Sequence, residues 1–340
     1  MPNVLDLFKQ AEVLNYLQDR QYPTLLGATL FPEVKKQSLE FDLIKGAGRT
    51  PVVASVHAFD TEAEIGSREA SKMALEAALI KRKIPVTEKE IIALENPRNQ
   101  AEQNYLMKNV YNDIDTLVAG VNARIEQMRM EVLAKGTLTL AENGLNTAID
   151  YGVPSANKEA LAGTDLWTDS SSDPLDDLIR WQSALASPAT RALTSNAVLS
   201  SLLKHPKVIS ALFGTGSGRI ASRADLNAFM AQHDLPQIAV YDAKFRKQAA
   251  NGTYTLNRYF PNNSFVMFGD GILGETLFGP TAEEIRLTRD PSIDISKVGN
   301  VLAMVYEENV DPVSTWTKAV ATAIPSFPAA DEVFQAQPIA

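Results

Sequence analysis

The chain of 340 residues contains no cysteine and only three histidines, His57, His205 and His233. The lack of cysteine excludes disulfides, thiolate metal sites and a cysteine nucleophile. Three scattered histidines exclude a histidine-rich metal cluster, and no metal or cofactor is expected. Cations are in the minority: 32 Lys and Arg stand against 41 Asp and Glu, a formal charge of −9. A protein whose main task is gripping nucleic acid needs the opposite excess on its binding face. Long apolar runs are also missing. Val301–Tyr306 is about the longest, far below the ~18–20 residues of a membrane span, so no membrane partner is expected. The start, Met1-Pro2-Asn3-Val4-Leu5-Asp6, lacks the basic and then apolar pattern of a secretory signal, and folding in a cytoplasm is expected. What is present is ordinary for a folded chain: 45% hydrophobic and 21% charged residues, with a length that suggests two domains.

The opening residues 3–18 read as a helix capped by Asn3, with Val4, Phe8, Ala11 and Leu14 on one face. Four turns cannot hide that face alone, so it docks either on its own domain or on a neighbouring subunit. Ser38–Lys45 alternates as a half-buried strand, with Leu39, Phe41 and Leu43 on one side. Gly46–Pro51 breaks it. Val52–Phe59 is apolar and extended in character, and Asp60–Glu69 is acidic with a turn at Gly66-Ser67. Ser71–Lys83 reads two ways. Its Ala, Leu, Glu and Lys favour helix, whereas Met73, Leu75, Ala77 and Leu79 alternate like strand residues. Propensity prefers helix, and Pro85 is expected to end either element.

The clearest signal covers residues 97–135. Asn96 offers a cap, with Pro97 at the first helical position. Leu106, Val110, Ile114, Leu117, Val121, Ile125, Met128 and Val132 then recur at steps of three and four. The mean step of about 3.7 fits a straight helix better than a heptad coiled coil. Gly136 stops it, and Gly120 in the middle is a possible bend. A helix up to ~58 Å long with one apolar stripe serves as a spine with material packed on one side. Gly136–Leu166 reads as short strands and turns. The polar run 167–173 marks a domain boundary, and Asp173-Pro174 opens a helix with Leu175, Leu178, Ile179 and Leu185 inward. Helices follow at Asn196–Lys204, stopped by His205-Pro206, and from Ser222 to about Gln232. Strands are expected at Gln237–Asp242, Ser264–Phe268, Val301–Tyr306 and Ala319–Ile324. No internal repeat is visible.

No catalytic constellation emerges. Gly214-Thr215-Gly216-Ser217-Gly218-Arg219 is glycine-rich, but a phosphate loop needs a Lys followed by Ser or Thr, and a dinucleotide loop needs a preceding strand. A connector is the simpler reading; a phosphate-binding enzyme using this loop is the alternative. His233-Asp234 and His205-Pro206 sit at helix ends, where histidine suits the dipole. Asp169, Asp173, Asp176 and Asp177 lack the turning glycine of a calcium loop and read as helix-capping acids. Trp167, Trp181 and Trp316 read as core or interface anchors.

Taken together, the order of elements resembles that of tailed-phage major capsid proteins, the lambda major head protein family in particular. The likeness runs through nearly the whole chain. It is strongest from Lys81-Arg82-Lys83 and Pro85 into the long helix ending Met130-Glu131-Val132-Leu133-Ala134-Lys135-Gly136, at His205-Pro206-Lys207-Val208 and Val240-Tyr241-Asp242, and over Ala321–Gln337. The resemblance implies an α+β, Hong Kong 97-type capsid fold. Its parts would be an N-terminal arm (1–37), a strand and extended E-loop hairpin (38–84), a peripheral domain with the spine helix (85–165), an axial domain (166–295) and closing strands (296–340) returning to the peripheral domain. It also turns Ser71–Lys83 into a strand, against propensity. The implied function is non-catalytic: self-assembly, as hexamers and pentamers, into the icosahedral shell around the double-stranded DNA of a phage head. Phe8, Val52, Val53, Phe59, Glu62, Glu64 and Arg68 are the candidate contacts between subunits. The expected partners are other copies, a separate scaffolding protein (only ~37 residues precede the first strand), a portal, a decoration protein, and packaged DNA through weak non-specific contact. An encapsulin-like cellular shell is the nearest alternative. Some relatives cross-link Lys to Asn; Lys72 and Asn309 are present, but no motif singles out a pair.

Overall fold

The computed structural model describes residues 4–45, 54, 56, 71–249, 251–291, 293–294, 298–308 and 314–340. The N-terminal segment makes three short helices, α1 (Val4–Leu7), α2 (Gln10–Asp19) and α3 (Leu26–Leu30), then strands β1 (Glu33–Lys35) and β2 (Glu40–Lys45). The single helix expected over 3–18 is thus broken at Phe8-Lys9, because Phe8 turns into the core, only 2% exposed, against Tyr111. β3 (Ser71–Glu76) pairs antiparallel with β2, and β4 (Ala78–Val86) follows after one residue. Strand wins over helical propensity here because both halves find ladder partners. Pro85 lies inside β4 instead of ending it. Among the described residues β4 pairs on one side only, with Pro85 opposite Trp316, and an edge strand tolerates a missing N–H.

Next comes α4 (Glu88–Glu95), which begins with a capping box formed by Thr87 and Glu90. The spine, α5 (Gln100–Lys135), runs 36 residues, about 54 Å. Asn96 closes α4, and Asn99 caps α5 by accepting a hydrogen bond from the Glu102 N–H at 2.9 Å. Gly136 ends α5 in the left-handed region at φ 68°. The helix is continuous through Gly120, where an added Cβ would meet nothing within 4 Å. Gly120→Ala is therefore expected to raise subunit stability by about 1 kcal/mol in denaturant unfolding.

After α5 come β5 (Thr137–Leu140), β6 (Thr147–Asp150) and β7 (Lys158–Ala160), then α6 (Pro174–Ala184), β8 (Arg191–Thr194), α7 (Asn196–Lys204), α8 (Pro206–Phe213), α9 (Arg223–Gln232) and β9 (Gln237–Val240). The chain continues through β10 (Lys244–Gln248), β11 (Tyr254–Arg258), β12 (Phe265–Phe268), β13 (Thr276–Gly279), α10 (Ala282–Leu287), β14 (Leu302–Glu308), β15 (Ser314–Pro325) and β16 (Val333–Gln337). In α6, Leu178 and Trp181 are buried but Ile179 is half exposed. The inward stripe passes through Trp181 instead.

β15 is the centre of one sheet. β4 lies along one edge; β14 and then β13 occupy successive stretches of the other, with β1 parallel to β13. The second sheet, in order β7-β16-β12-β8-β9, separates two cores. Alternation along its strands serves both. Val266, Phe268, Leu193 and Val333 face the first core, while Phe265, Met267, Ala192, Phe334 and Ala336 face the second. The first core holds α5, β4, β13 and β15, together with Tyr259, Phe260 and Leu273. The second is built from α6–α9 around Trp167 and Trp181, which stack with centroids 5.4 Å apart.

Candidate assembly surfaces

Phe41 and Leu75, opposite each other in the β2–β3 ladder, are buried in the first core and fix the root of the hairpin. The ladder then runs outward to the Lys45–Ser71 pair with no third strand among the described residues. Val52, Val53, Phe59, Glu62, Glu64 and Arg68 lie outside the described residues, as do His57 and Asn309. Phe8 lies within the described residues and packs against Tyr111 of its own chain. Of the two dockings open to the first helix, the structure shows the one on its own subunit.

That N-terminal segment is held by buried charges which sequence reading missed. Glu126 and Arg129, one turn apart on α5, are 0% and 3% exposed. Glu126 Oε1 accepts from the Gly27 N–H at 2.8 Å and the Tyr241 hydroxyl at 2.7 Å. Arg129 donates to Thr276 Oγ1 at 2.7 Å and Glu33 Oε1 at 3.1 Å, and its other terminal nitrogen stands 3.7 Å from Glu126 Oε2. One helix turn therefore fastens α3, β1 and β13 to the spine. Glycine at position 27 gives the Glu126 carboxylate its place, since a Cβ there would make that carboxylate shift. The available signal was the apolar stripe, which widens after Leu117 until most of the helix perimeter is buried.

Two exposed regions carry cations. On the sheet face away from α5, Lys83 sits 3.6 Å above the Trp316 ring, and Lys318 is paired with Glu283. Burial pushes the Glu283 carboxyl up, but the Lys318 hydrogen bond, a backbone hydrogen bond and the charges of Lys318 and Lys81 together hold it below its ordinary range. On the other side, a groove of about 500 Å³ lies between β4, the Gly120–Met128 flank of α5 and β10. Within it Glu142 bonds Lys247 and lies 3.5 Å from Arg124; the Lys247 hydrogen bond chiefly keeps that carboxyl below the usual range.

The chemistry considered in sequence resolves into structural roles. Gly214 and Gly216 take positive φ (86° and 76°) in a loop after α8, and Arg219 lies over the Phe213 ring at 4.3 Å. His205 is buried; it closes α7, opens α8 by accepting from the Lys207 N–H, and meets Ser172 Oγ at 3.2 Å. His233 ends α9 beside Phe229. Asp173 caps α6, and Asp177 accepts from Trp167 Nε1. Among the described residues no three His, Asp or Glu side chains converge on a metal-sized site, and no helix is long and apolar enough to cross a membrane.

Comparison with known proteins fits a surface built for contact. The family model described as phage major capsid protein E matches residues 9–337. Among solved structures, the putative capsid protein of a prophage of Escherichia coli CFT073 superposes with a TM-score of 0.64 at 15% identity, covering 97% of this chain and 99% of that one. A phage-related protein from Bordetella bronchiseptica RB50 gives 0.55 at 14% identity, covering 96% of each. At such identities these likenesses speak for the fold alone, which is of the Hong Kong 97 type. No curated protein sequence matches significantly. With nearly its whole length matched, the chain belongs to the phage major capsid protein E family, whose members build the shell of the virion.

Proposed function

We propose that the subunit closes its shell by laying the β2–β3 hairpin on a neighbour, and that it performs no catalysis of its own. The observation that carries this is the two-stranded ladder leaving the first core with no third strand among the described residues. An isolated two-stranded hairpin is marginal in water, so a second subunit is the natural source of the missing support. In this reading the first core is the peripheral domain and the second the axial domain around the centre of hexamers and pentamers. A separate scaffolding protein, a portal and a decoration protein complete the partners. The charge of −9 supports a wall that holds packaged DNA without gripping it. A cellular encapsulin-like shell would use the same fold; the match to a phage capsid family ranks it second.

Hydrogen exchange tests the hairpin. Amides of 42–45 and 71–74 are expected to exchange rapidly in the free subunit and at least tenfold more slowly in shells. Equal exchange in both states would contradict the reading.

A further inference from the structure

We propose that Asn251 is a self-modifying position: its side-chain amide cyclises onto the backbone nitrogen of Gly252, loses ammonia and leaves a carboxylate. This chemistry is independent of the assembly reading. Asparagine is among the thermally labile residues, and the reaction needs a following peptide nitrogen that no side chain shields. The chain has two Asn-Gly pairs, Asn143-Gly144 and Asn251-Gly252. Both are exposed in hairpin turns, the first between β5 and β6 and the second between β10 and β11. Each glycine borders open space, since an added Cβ would meet nothing within 4 Å. The two turns differ in what holds the asparagine. Asn251 Oδ1 accepts two hydrogen bonds from Thr253, one from its N–H at 3.1 Å and one from its hydroxyl at 2.7 Å. The bond to the N–H two residues on closes an Asx turn, which folds the carboxamide carbon back toward the peptide nitrogen of Gly252. Asn143 has the same dipeptide without these donors. Its backbone is at φ 51°, in a turn closed by the Leu145 N–H on the Glu142 carbonyl, and its side chain accepts no hydrogen bond among the described residues.

The step needs only water. The Gly252 N–H, which donates to the Ala249 carbonyl at 2.9 Å, gives its proton to hydroxide, and the nitrogen bonds to Asn251 Cγ. Negative charge then gathers on Oδ1, where the two Thr253 donors already point, so they serve as a small oxyanion hole. The Cγ–Nδ2 bond breaks, and Nδ2 leaves as ammonia with a proton from water. Water opens the cyclic imide at either carbonyl, to aspartate or to an isoaspartate linkage. The new charge falls in a hairpin with Lys244, Arg246, Lys247 and Arg258 but no Asp or Glu from 244 to 258, so neighbouring cations stabilise the product. A long-lived wall gathers up to one further negative charge per subunit in this way.

Incubating the purified full-length chain in warm, mildly alkaline buffer, and following each asparagine by peptide mass spectrometry, tests the proposal. Asn251 is expected to convert faster than Asn143, giving both aspartate and isoaspartate. Thr253→Val keeps the backbone donor and removes the hydroxyl. It is expected to slow Asn251 about threefold to tenfold, the worth of one net hydrogen bond, and to leave Asn143 unchanged. Thr253→Ser returns the hydroxyl and is expected to return the rate, which a mere change in hairpin packing would not do. An Asn251 that stays intact, or conversion at Asn143 that is equal or faster, would overturn the proposal. So would a Thr253→Val rate equal to that of the natural chain, or a Thr253→Ser as slow as Thr253→Val.

Discussion

A subunit lacking residues 50–70 folds normally and forms no closed shells. Folding survives because the described residues of the two cores run from Val4 to Phe41 and from Leu75 onward. The deletion also leaves a sound connection. Lys45 and Ser71 are already opposite each other in the ladder, and Gly46-Ala47-Gly48-Arg49 then joins them as a four-residue hairpin loop, a common length. The thermal midpoint of the subunit should move by no more than a few degrees, whereas shell yield should fall to background by electron microscopy. Each subunit would lose its contact with a neighbour, and because a shell repeats that contact at every subunit, the loss multiplies. Normal shells from the shortened chain would remove the hairpin from the assembly contact.

The second large effect is on stability. Arg129→Ala takes away two hydrogen bonds and the cation beside Glu126, and it leaves a fully buried carboxylate supported only by the Gly27 N–H and the Tyr241 hydroxyl. Breaking a buried ion pair from one side costs about 3–5 kcal/mol, a large share of the 5–15 kcal/mol that holds a typical domain. Denaturant unfolding of the free subunit measures it. The double variant Glu126→Gln with Arg129→Met carries no uncompensated charge and is expected to lose less than Arg129→Ala alone. A double variant worse than the single one, or a loss below about 1 kcal/mol for Arg129→Ala, would show that the network adds little.

The two variants bear on different parts of the molecule, and so did the sequence signals. The spine helix was legible because Val110, Ile114, Leu117, Val121, Ile125, Met128 and Val132 all fall inside the first core, and one long stripe fixes both element and face. Its start was misplaced because Asn96 and Asn99 are both capping residues three positions apart. α4 was missed although Thr87 and Glu90 spell a capping box. Ser71–Lys83 shows where local preference fails. Its composition favours helix, and only the ladders to β2 and β15 make it strand; no property of the segment itself contains them. The same holds for Glu126 and Arg129, whose partners lie at positions 27, 33, 241 and 276. Charged side chains on a helix read as solvent-facing until the elements that cover them are known. The candidate contacts at Val52, Val53 and Phe59–Arg68 came from resemblance, whereas Phe8 came from an amphipathic pattern that its own subunit proved able to satisfy.

The central claim is that this chain is a self-assembling wall. Electron microscopy of the purified protein, made alone and together with a candidate scaffolding protein, tests it most directly. Closed, regular shells built from one kind of subunit are predicted in at least one of the two preparations. A chain that stays a small monomeric particle under every condition, at concentrations where capsid proteins assemble, would contradict it.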